Sequence, residues 1–337
     1  MTHRPILTAL LALAPACAAP DDPATSVVTS EIADCEDIIC GNSPLLGGQP
    51  FWELDQSKTS FSPVGNFRIK SFKTAGNVDL KPWVSGFGLI GLTATKKYEL
   101  KELEGSKLVI ESAGGANYEL TIEQVGKLWF FERGNDSTEI PTYLWHYSQV
   151  SGSPWADAPP GKIEFLCPSD NINHGEKDAI VFAGDRYSKA TGKVSAIGTE
   201  VGPWFNIACN NDALWKLAAF RFVEAARKPL IYDTDESERD AALMAIRADY
   251  CGNNHPWTDL GTDVDWANRG GWLWIDKAKY KNVEAIWDKD KAFCLSHPRK
   301  HTIDEIDCWP EPATHFCTPE QIDNWVADGH LMITYVP

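Results

Sequence analysis

The strongest constraint on what this 337-residue chain can fold into is the combination of nine cysteines with an export-like amino terminus. Met1–Arg4 is a short basic stretch, and Pro5–Ala14 is an apolar run too short to span a bilayer, so residues 1–16 are expected to be a cleaved signal peptide. The stretch Pro15-Ala16-Cys17-Ala18-Ala19-Pro20 admits lipidation of Cys17 or ordinary cleavage after Ala16-Cys17-Ala18. Lipidation is preferred here because it gives that cysteine a use, although the Leu usual three places before the Cys stands one place further back, at Leu13. Residues 17–34, rich in Asp, Pro, Ser and Thr, would then be a flexible tether between membrane and fold. Setting Cys17 aside leaves Cys35, Cys40, Cys167, Cys209, Cys251, Cys294, Cys308 and Cys317. An even number in an oxidising compartment reads as four disulfides. Nearest-neighbour pairing is the simplest expectation: Cys35 with Cys40, Cys167 with Cys209, Cys251 with Cys294, and Cys308 with Cys317. Across the two long middle loops each crosslink would stabilise by roughly 3–4 kcal/mol on the loop-entropy model. No odd cysteine remains to act as a catalytic thiol, and neither C-x-x-C nor H-E-x-x-H is present to suggest zinc.

Charge narrows the partners. Thirty-one Lys+Arg against 47 Asp+Glu give a net charge of −16, and removing residues 1–16 takes away one basic residue, Arg4, and no acidic one, making it −17. Such a chain repels a phosphate backbone, so no nucleic-acid partner is expected. Hydrophobic content of 43% and a mean hydropathy of −0.28 exclude both a disordered polymer and a multispanning membrane protein. Fourteen Trp beside only three Met fit either a rigid aromatic core or aromatic binding platforms.

The fold class reads as α+β. From Phe51 to Val150 the chain alternates apolar and polar residues in short runs, such as Phe67–Phe72, Lys107–Glu111, Asn117–Glu123 and Lys127–Phe131. Gly-Asn, Gly-Ser and Gly-Gly turns separate them, which predicts antiparallel hairpins with one buried and one charged face. Two helices are expected further on. Asn211–Phe222 opens with a capping Asn and places Leu214, Ala218 and Phe222 on one stripe. Thr234–Tyr250 opens with the capping-box-like Asp235-Glu-Ser-Glu238 and aligns Leu243, Ile246 and Tyr250. The Pro- and Gly-rich stretch at 151–161 suggests a β-rich domain over 35–150 and a disulfide-stapled α+β domain over 151–337.

Several motifs have a plain structural reading. Gly86-Phe-Gly-Leu-Ile-Gly91 matches a dinucleotide fingerprint, but Leu92–Tyr98 reads as a strand where that site needs a helix, so hairpin glycines are expected and no cofactor. The acidic residues Asp233, Asp235, Glu236, Glu238 and Asp240 lack the glycine and glutamate of a calcium loop and suit a helix's first turn. Asp259, Asp263 and Asp265 sit within seven residues around Gly261, and a solvated turn explains them. His297 and His301 would align on a helix, but Pro298 argues against one, so no metal site is expected. His255 stands four residues after Cys251, and a disulfide-bonded Cys251 would be no nucleophile. Trp266, Trp272, Trp274 and Trp287 crowd the final third among Asn, Arg and Gly; they are candidate stacking platforms for a ligand, or one face of a core strand.

One set of blocks carries a family resemblance. Arg247-Ala-Asp-Tyr-Cys-Gly252, His255 and Gly261-Thr-Asp-Val-Asp265 resemble the ADYC domain, named for the tetrapeptide that stands here as Ala248-Asp249-Tyr250-Cys251. Cys40-Gly-Asn-Ser-Pro44, Trp204-Phe-Asn-Ile-Ala-Cys209, and Glu284-Ala-Ile-Trp287 through Ala292-Phe-Cys-Leu295 and Pro298-Arg299 are similar to further blocks of that family, covering about Cys35 to Arg299. The resemblance implies an exported bacterial protein, typical of myxobacteria, with disulfides and often a lipoprotein signal. It implies no reaction. A cysteine after the first helix's Lys, and another upstream of the second helix's Arg-Ala-Asp-Tyr-Cys, are absent together, as Lys216-Leu217 and Ala241–Ile246 show; loss of one helix-to-helix disulfide would look like this. The favoured reading is a non-catalytic, lipid-anchored protein of the cell envelope, or one released outside the cell, that binds a glycan or protein through an aromatic face. The alternative is a secreted hydrolase acting on glycans, whose candidate carboxylates are Asp249, Asp263, Asp265 and Glu284.

Overall fold

The computed structural model describes residues 44–130, 139–151, 163–167, 177–195, 203–226, 234–258, 262, 264–270, 273–274, 282–309 and 315–336, all within the compact unit Asp34–Pro337. Cys17, Cys35, Cys40, Asp263 and Trp272 lie outside the described residues. The first strands are β1 Leu45–Leu46, β2 Gln49–Pro50, β3 Glu53–Asp55, β4 Phe67–Lys73, β5 Lys81–Ser85, β6 Gly88–Leu92 and β7 Lys97–Glu99. They are followed by β8 Lys107–Ser112, β9 Asn117–Trp129, β10 Glu139–Ser151, β11 Glu164–Phe165, β12 Asp178–Ala183, β13 Arg186–Tyr187, β14 Val194–Ser195 and β15 Trp204–Cys209. Helices α1 Ala213–Ala219 and α2 Glu236–Arg247 come next, then β16 Asp265–Asn268, β17 Leu273–Trp274, β18 Asn282–Trp287 and β19 Ala292–Leu295. Helix α3 Pro319–Asn324 and strand β20 Met332–Val336 close the described chain.

Alternation builds the largest layer, an antiparallel sheet in the order β3-β15-β12-β10-β9-β8-β4 with β11 paired to β10. On β8 and β9, Leu108, Ile110, Tyr118, Leu120 and Ile122 point inward and are buried. Between them stand outward residues tied across strands: Arg68 to Glu111 at 2.7 Å, Lys107 to Glu119 at 2.7 Å, and Lys127 to Glu139 at 2.6 Å. This is the predicted hairpin meander with one charged face. A separate sheet, β5-β6-β7, covers part of the inner face, and the Tyr143 hydroxyl accepts the Leu89 N–H at 2.9 Å between them. The G-x-G-x-x-G run forms the β5–β6 hairpin, as expected. Gly86 takes the turn at φ 57°, and at Gly91 a Cβ would come within 2.5 Å of Leu80, so side-chain bulk is what this glycine avoids.

Strands from both sides of residue 151 share the large sheet, because β12 lies beside β10 and β15 beside β3. The second main sheet, β17-β16-β20-β18-β19, is also antiparallel. Its β18, β20 and β16 contribute Ala285, Trp287, Met332 and Trp266 to the same apolar cluster that holds Ile180, Phe182 and Ala208 of the large sheet and most of α1 and α2. The helices are thus packed between two sheets. This is why α2 is buried nearly all round instead of along one stripe; Ala241, Ala242 and Ala245 let both sheets approach it closely. Its start matches the sequence pattern: Asp235 accepts the Glu238 N–H at 2.9 Å while Glu238 reaches back to the Asp235 N–H. Helix α1 is capped by Asp212, one residue later than the expected Asn, through the Trp215 N–H at 2.6 Å. Asn211 is instead at φ 73° in the turn before the cap. Helix α3 was not among the expected elements, although Thr318-Pro319-Glu320-Gln321 is a complete capping box with Pro in its first turn.

Three disulfides join described cysteines. Cys167–Cys209 is paired as expected and fastens the segment after β11 to the end of β15. The other two correct the nearest-neighbour scheme: Cys251 pairs with Cys308, not Cys294, and Cys294 pairs with Cys317. The reason is that β18 and β19 form a hairpin whose Cys294 faces the outer side of the second sheet, where the segment around α3 packs with Ile322 and Trp325. Cys251, at the end of α2, lies on the inner side against the helical core.

Candidate functional site

The residues that carry the ADYC signature meet at the carboxy-terminal corner of α2. Ala248 caps the helix in the left-handed conformation, φ 54°, and the chain turns at once into the core. Gly252 also needs a positive φ, 64°, and a Cβ there would lie 1.7 Å from the Asp290 carbonyl oxygen, so only glycine fits. Asp249 is buried and closes this turn by accepting the Asn253 N–H at 3.2 Å and the Asn254 N–H at 2.9 Å, with the Arg247 guanidinium 3.9 Å away. Its carboxyl is raised above the ordinary value, chiefly by burial, with Arg247 and the turn amides opposing. Arg247 in turn donates to the Asn254 carbonyl at 3.0 Å and side-chain oxygen at 2.9 Å, and Asn254 donates to the Lys189 carbonyl at 3.0 Å. That last contact pins the β13–β14 hairpin onto the corner.

Tyr250 points the other way. Its ring stacks on Trp287 at 5.5 Å between centroids, and its hydroxyl donates to Glu284 at 2.7 Å while accepting the Arg299 N–H at 3.1 Å. Burial pushes the phenol far up, and the neighbouring Glu284 carboxylate adds to it. The Arg299 side chain is buried, pairs with Glu284 through Nε at 2.6 Å and Nη2 at 3.1 Å, and donates to the Ile246 carbonyl at 3.0 Å and to the Ala245 carbonyl. A guanidinium at a helix carboxy terminus satisfies both the free carbonyls and the negative end of the dipole. The corner is therefore one buried polar network in which each charge meets an opposite charge or a helix end.

The site residues named from sequence separate accordingly. Asp249, Asp265 and Glu284 are each at most 2% exposed. Asp249 is held by Arg247 and two turn amides, Glu284 by Arg299 and the Tyr250 hydroxyl, and Asp265 stands in β16 opposite Tyr335 of β20. Trp287 is fully buried, with its Nε1 donating to Thr334 at 2.8 Å, and it packs in the core. Trp266 is buried too, edge-on to Phe220 at 5.5 Å and Phe222 at 4.9 Å, and it walls a small apolar cleft with Ala242, Ile246 and Met332. Trp274 lies in β17 opposite Trp266. Of the tryptophans with described side chains, Trp83 on β5 and Trp129 at the end of β9 turn 44% and 50% of their surface to solvent. The sequence reading passed over both; Trp83 in the alternating Lys81-Pro-Trp-Val-Ser85 was legible as an outward position. Lys127 reaches within 5.8 Å of the Trp129 ring. Among the described residues no group of His, Cys, Asp and Glu is arranged to hold a metal ion, and no helix is long and apolar enough to cross a membrane.

In the comparison with known families the ADYC domain model aligns with residues 100–301, which span the large sheet from β8 onward, both main helices, and the Glu284–Arg299 pair. No curated protein and no solved structure matches the chain.

Proposed function

This chain belongs to the ADYC domain family, and from that premise we propose that it is an exported, non-catalytic binding protein of the cell envelope, anchored through a lipidated Cys17. The observation that carries the non-catalytic reading is the corner of α2. A general acid or base must reach substrate, yet Asp249 and Glu284 spend their oxygens on Asn253, Asn254, Tyr250 and Arg299 inside the core. The family signature thus maintains a fold, which is the use expected of a scaffold that varies its surface for binding. Three disulfides support the oxidising compartment that export would supply. A net charge of −16 favours a glycan or protein ligand over nucleic acid. Trp83 and Trp129 offer the exposed ring faces on which a sugar or an apolar side chain would stack.

A glycan and peptidoglycan array probed with the mature protein tests this. Binding that is lost in Trp83→Ala or Trp129→Ala is the expected outcome; an array with no bound polysaccharide removes the glycan ligand. The anchor is tested separately, since Cys17→Ser should release the protein from the membrane fraction.

A further inference from the structure

The three disulfides differ sharply in access. Cys167 and Cys209 are wholly buried under the large sheet, and Cys294 and Cys317 are buried against the outer side of the second sheet. Cys308 is exposed and its partner Cys251 is half-buried. We propose that Cys251–Cys308 is a site of reversible thiol–disulfide exchange, opened by a thiol reductant while the other two bridges stay closed. Exchange requires a thiolate to reach one sulfur in line with the bond, so solvent access decides which bridge reacts without prior unfolding. The incoming thiolate bonds to Sγ of Cys308, the disulfide bond breaks, and its electron pair leaves on Sγ of Cys251, which takes up a proton. A second thiol of the reductant then attacks the mixed disulfide and frees Cys308, leaving the reductant as a disulfide.

The surroundings fit an opening that leaves the fold intact. The segment bearing Cys308 is held over the end of α2 by two independent ties besides the disulfide: the Arg299 contacts to Glu284, Ala245 and Ile246, and the buried side chains of Ile306 and Trp309. Tyr250, next to Cys251, is bonded to Glu284 through its own hydroxyl, a tie that does not pass through the cysteine sulfur. Exchange would loosen this strap and leave the helix layer closed. Charge selects the reductant. Asp304, Glu305 and Asp307 are all exposed immediately before Cys308, a local field that repels an anionic thiolate reagent and favours one carrying a neutral or cationic group.

Graded reduction of the intact protein, quenched by alkylation and read by peptide mass, tests the proposal on the six described cysteines. With dithiothreitol, Cys251 and Cys308 should be labelled at least about tenfold faster than the other four, and removal of reductant should restore the bridge. Partly reduced protein should still melt cooperatively. First labelling at Cys167, Cys209, Cys294 or Cys317, or simultaneous labelling of all six, overturns it, as does loss of the cooperative melt when only Cys251 and Cys308 are labelled. Cysteamine should react faster than 3-mercaptopropionate at equal thiolate concentration, and salt at about 0.5 M should narrow the gap. Equal rates at low salt would overturn the charge selection.

Discussion

The charged face of the large sheet and the corner of α2 are built from the same kinds of residue, arginines and carboxylates, to opposite effect. On the sheet, Arg68 and Glu111 meet at 2.7 Å with their side chains 38% and 20% exposed, and water competes for both. At the corner, Arg299 and Glu284 meet at 2.6 Å with 1% and 0% exposed. A surface pair adds little because its members are nearly as well solvated apart. A buried pair need not stabilise relative to an apolar core, but removing one member strands the other charge without water. The two regions therefore differ less in how strongly their pairs attract than in the cost of breaking a pair.

The largest expected effect comes from that difference. Arg299→Ala should cost roughly 3–5 kcal/mol in a denaturant melt, since it strands Glu284 and frees two helix-end carbonyls. A loss under about 1 kcal/mol would mean the corner behaves like the surface. Gly252→Ala should cost roughly 1–3 kcal/mol through backbone strain and the clash with the Asp290 carbonyl. Helix α2 also offers an intermediate case: Asp235→Ala removes its capping box and should cost about 0.5–2 kcal/mol, with Asp235→Asn restoring most of it.

Protonation distinguishes the regions in another way. Burial pushes Asp212, the cap of α1, up to about 7 against an ordinary 3.8, with the Trp215 and Cys209 amides opposing. The unfolded chain releases this proton first, so the stability it contributes is present below about pH 4 and drains away as pH rises to about 7. Asp240, raised to about 6 chiefly by burial, acts in the same sense. Asp212→Asn keeps the cap and should flatten the fall in melting temperature between about pH 4 and 7; an unchanged slope would place the titration elsewhere. Glu111 on the sheet face runs oppositely: Arg68 beside it lowers its pKa, so its contribution is lost only as pH falls through the acid range. The smallest effect is expected there, with Arg68→Ala costing about 0.2–1 kcal/mol at neutral pH and less at high salt.

Much of the sheet was legible because a strand states its own burial. Residues two apart on β8 and β9 share a face, and the spacing of Leu108, Ile110, Leu120 and Ile122 reveals it without any partner. The start of α2 was legible for the same reason, since its capping box is completed within four residues. The corner was visible as a string of unusual residues, with its meaning hidden. Asp249 and Glu284 stood out as candidate catalytic carboxylates because sequence shows a residue's type and not its partner. Trp287 stood out as a platform because aromatic content does not say which side of a strand is covered.

Local periodicity, capping and composition were enough to read the α+β class, the alternating sheet, the two main helices and the presence of disulfides among the described cysteines. Tertiary structure alone decided that Cys251 meets Cys308, that Glu284 lies between Tyr250 and Arg299, and that α2 is covered on two sides. Those contacts join positions 57, 34, 15 and more residues apart. Local pattern specifies which elements form, whereas the closing of such loops depends on how whole layers pack, and packing is set by every side chain in the layer at once.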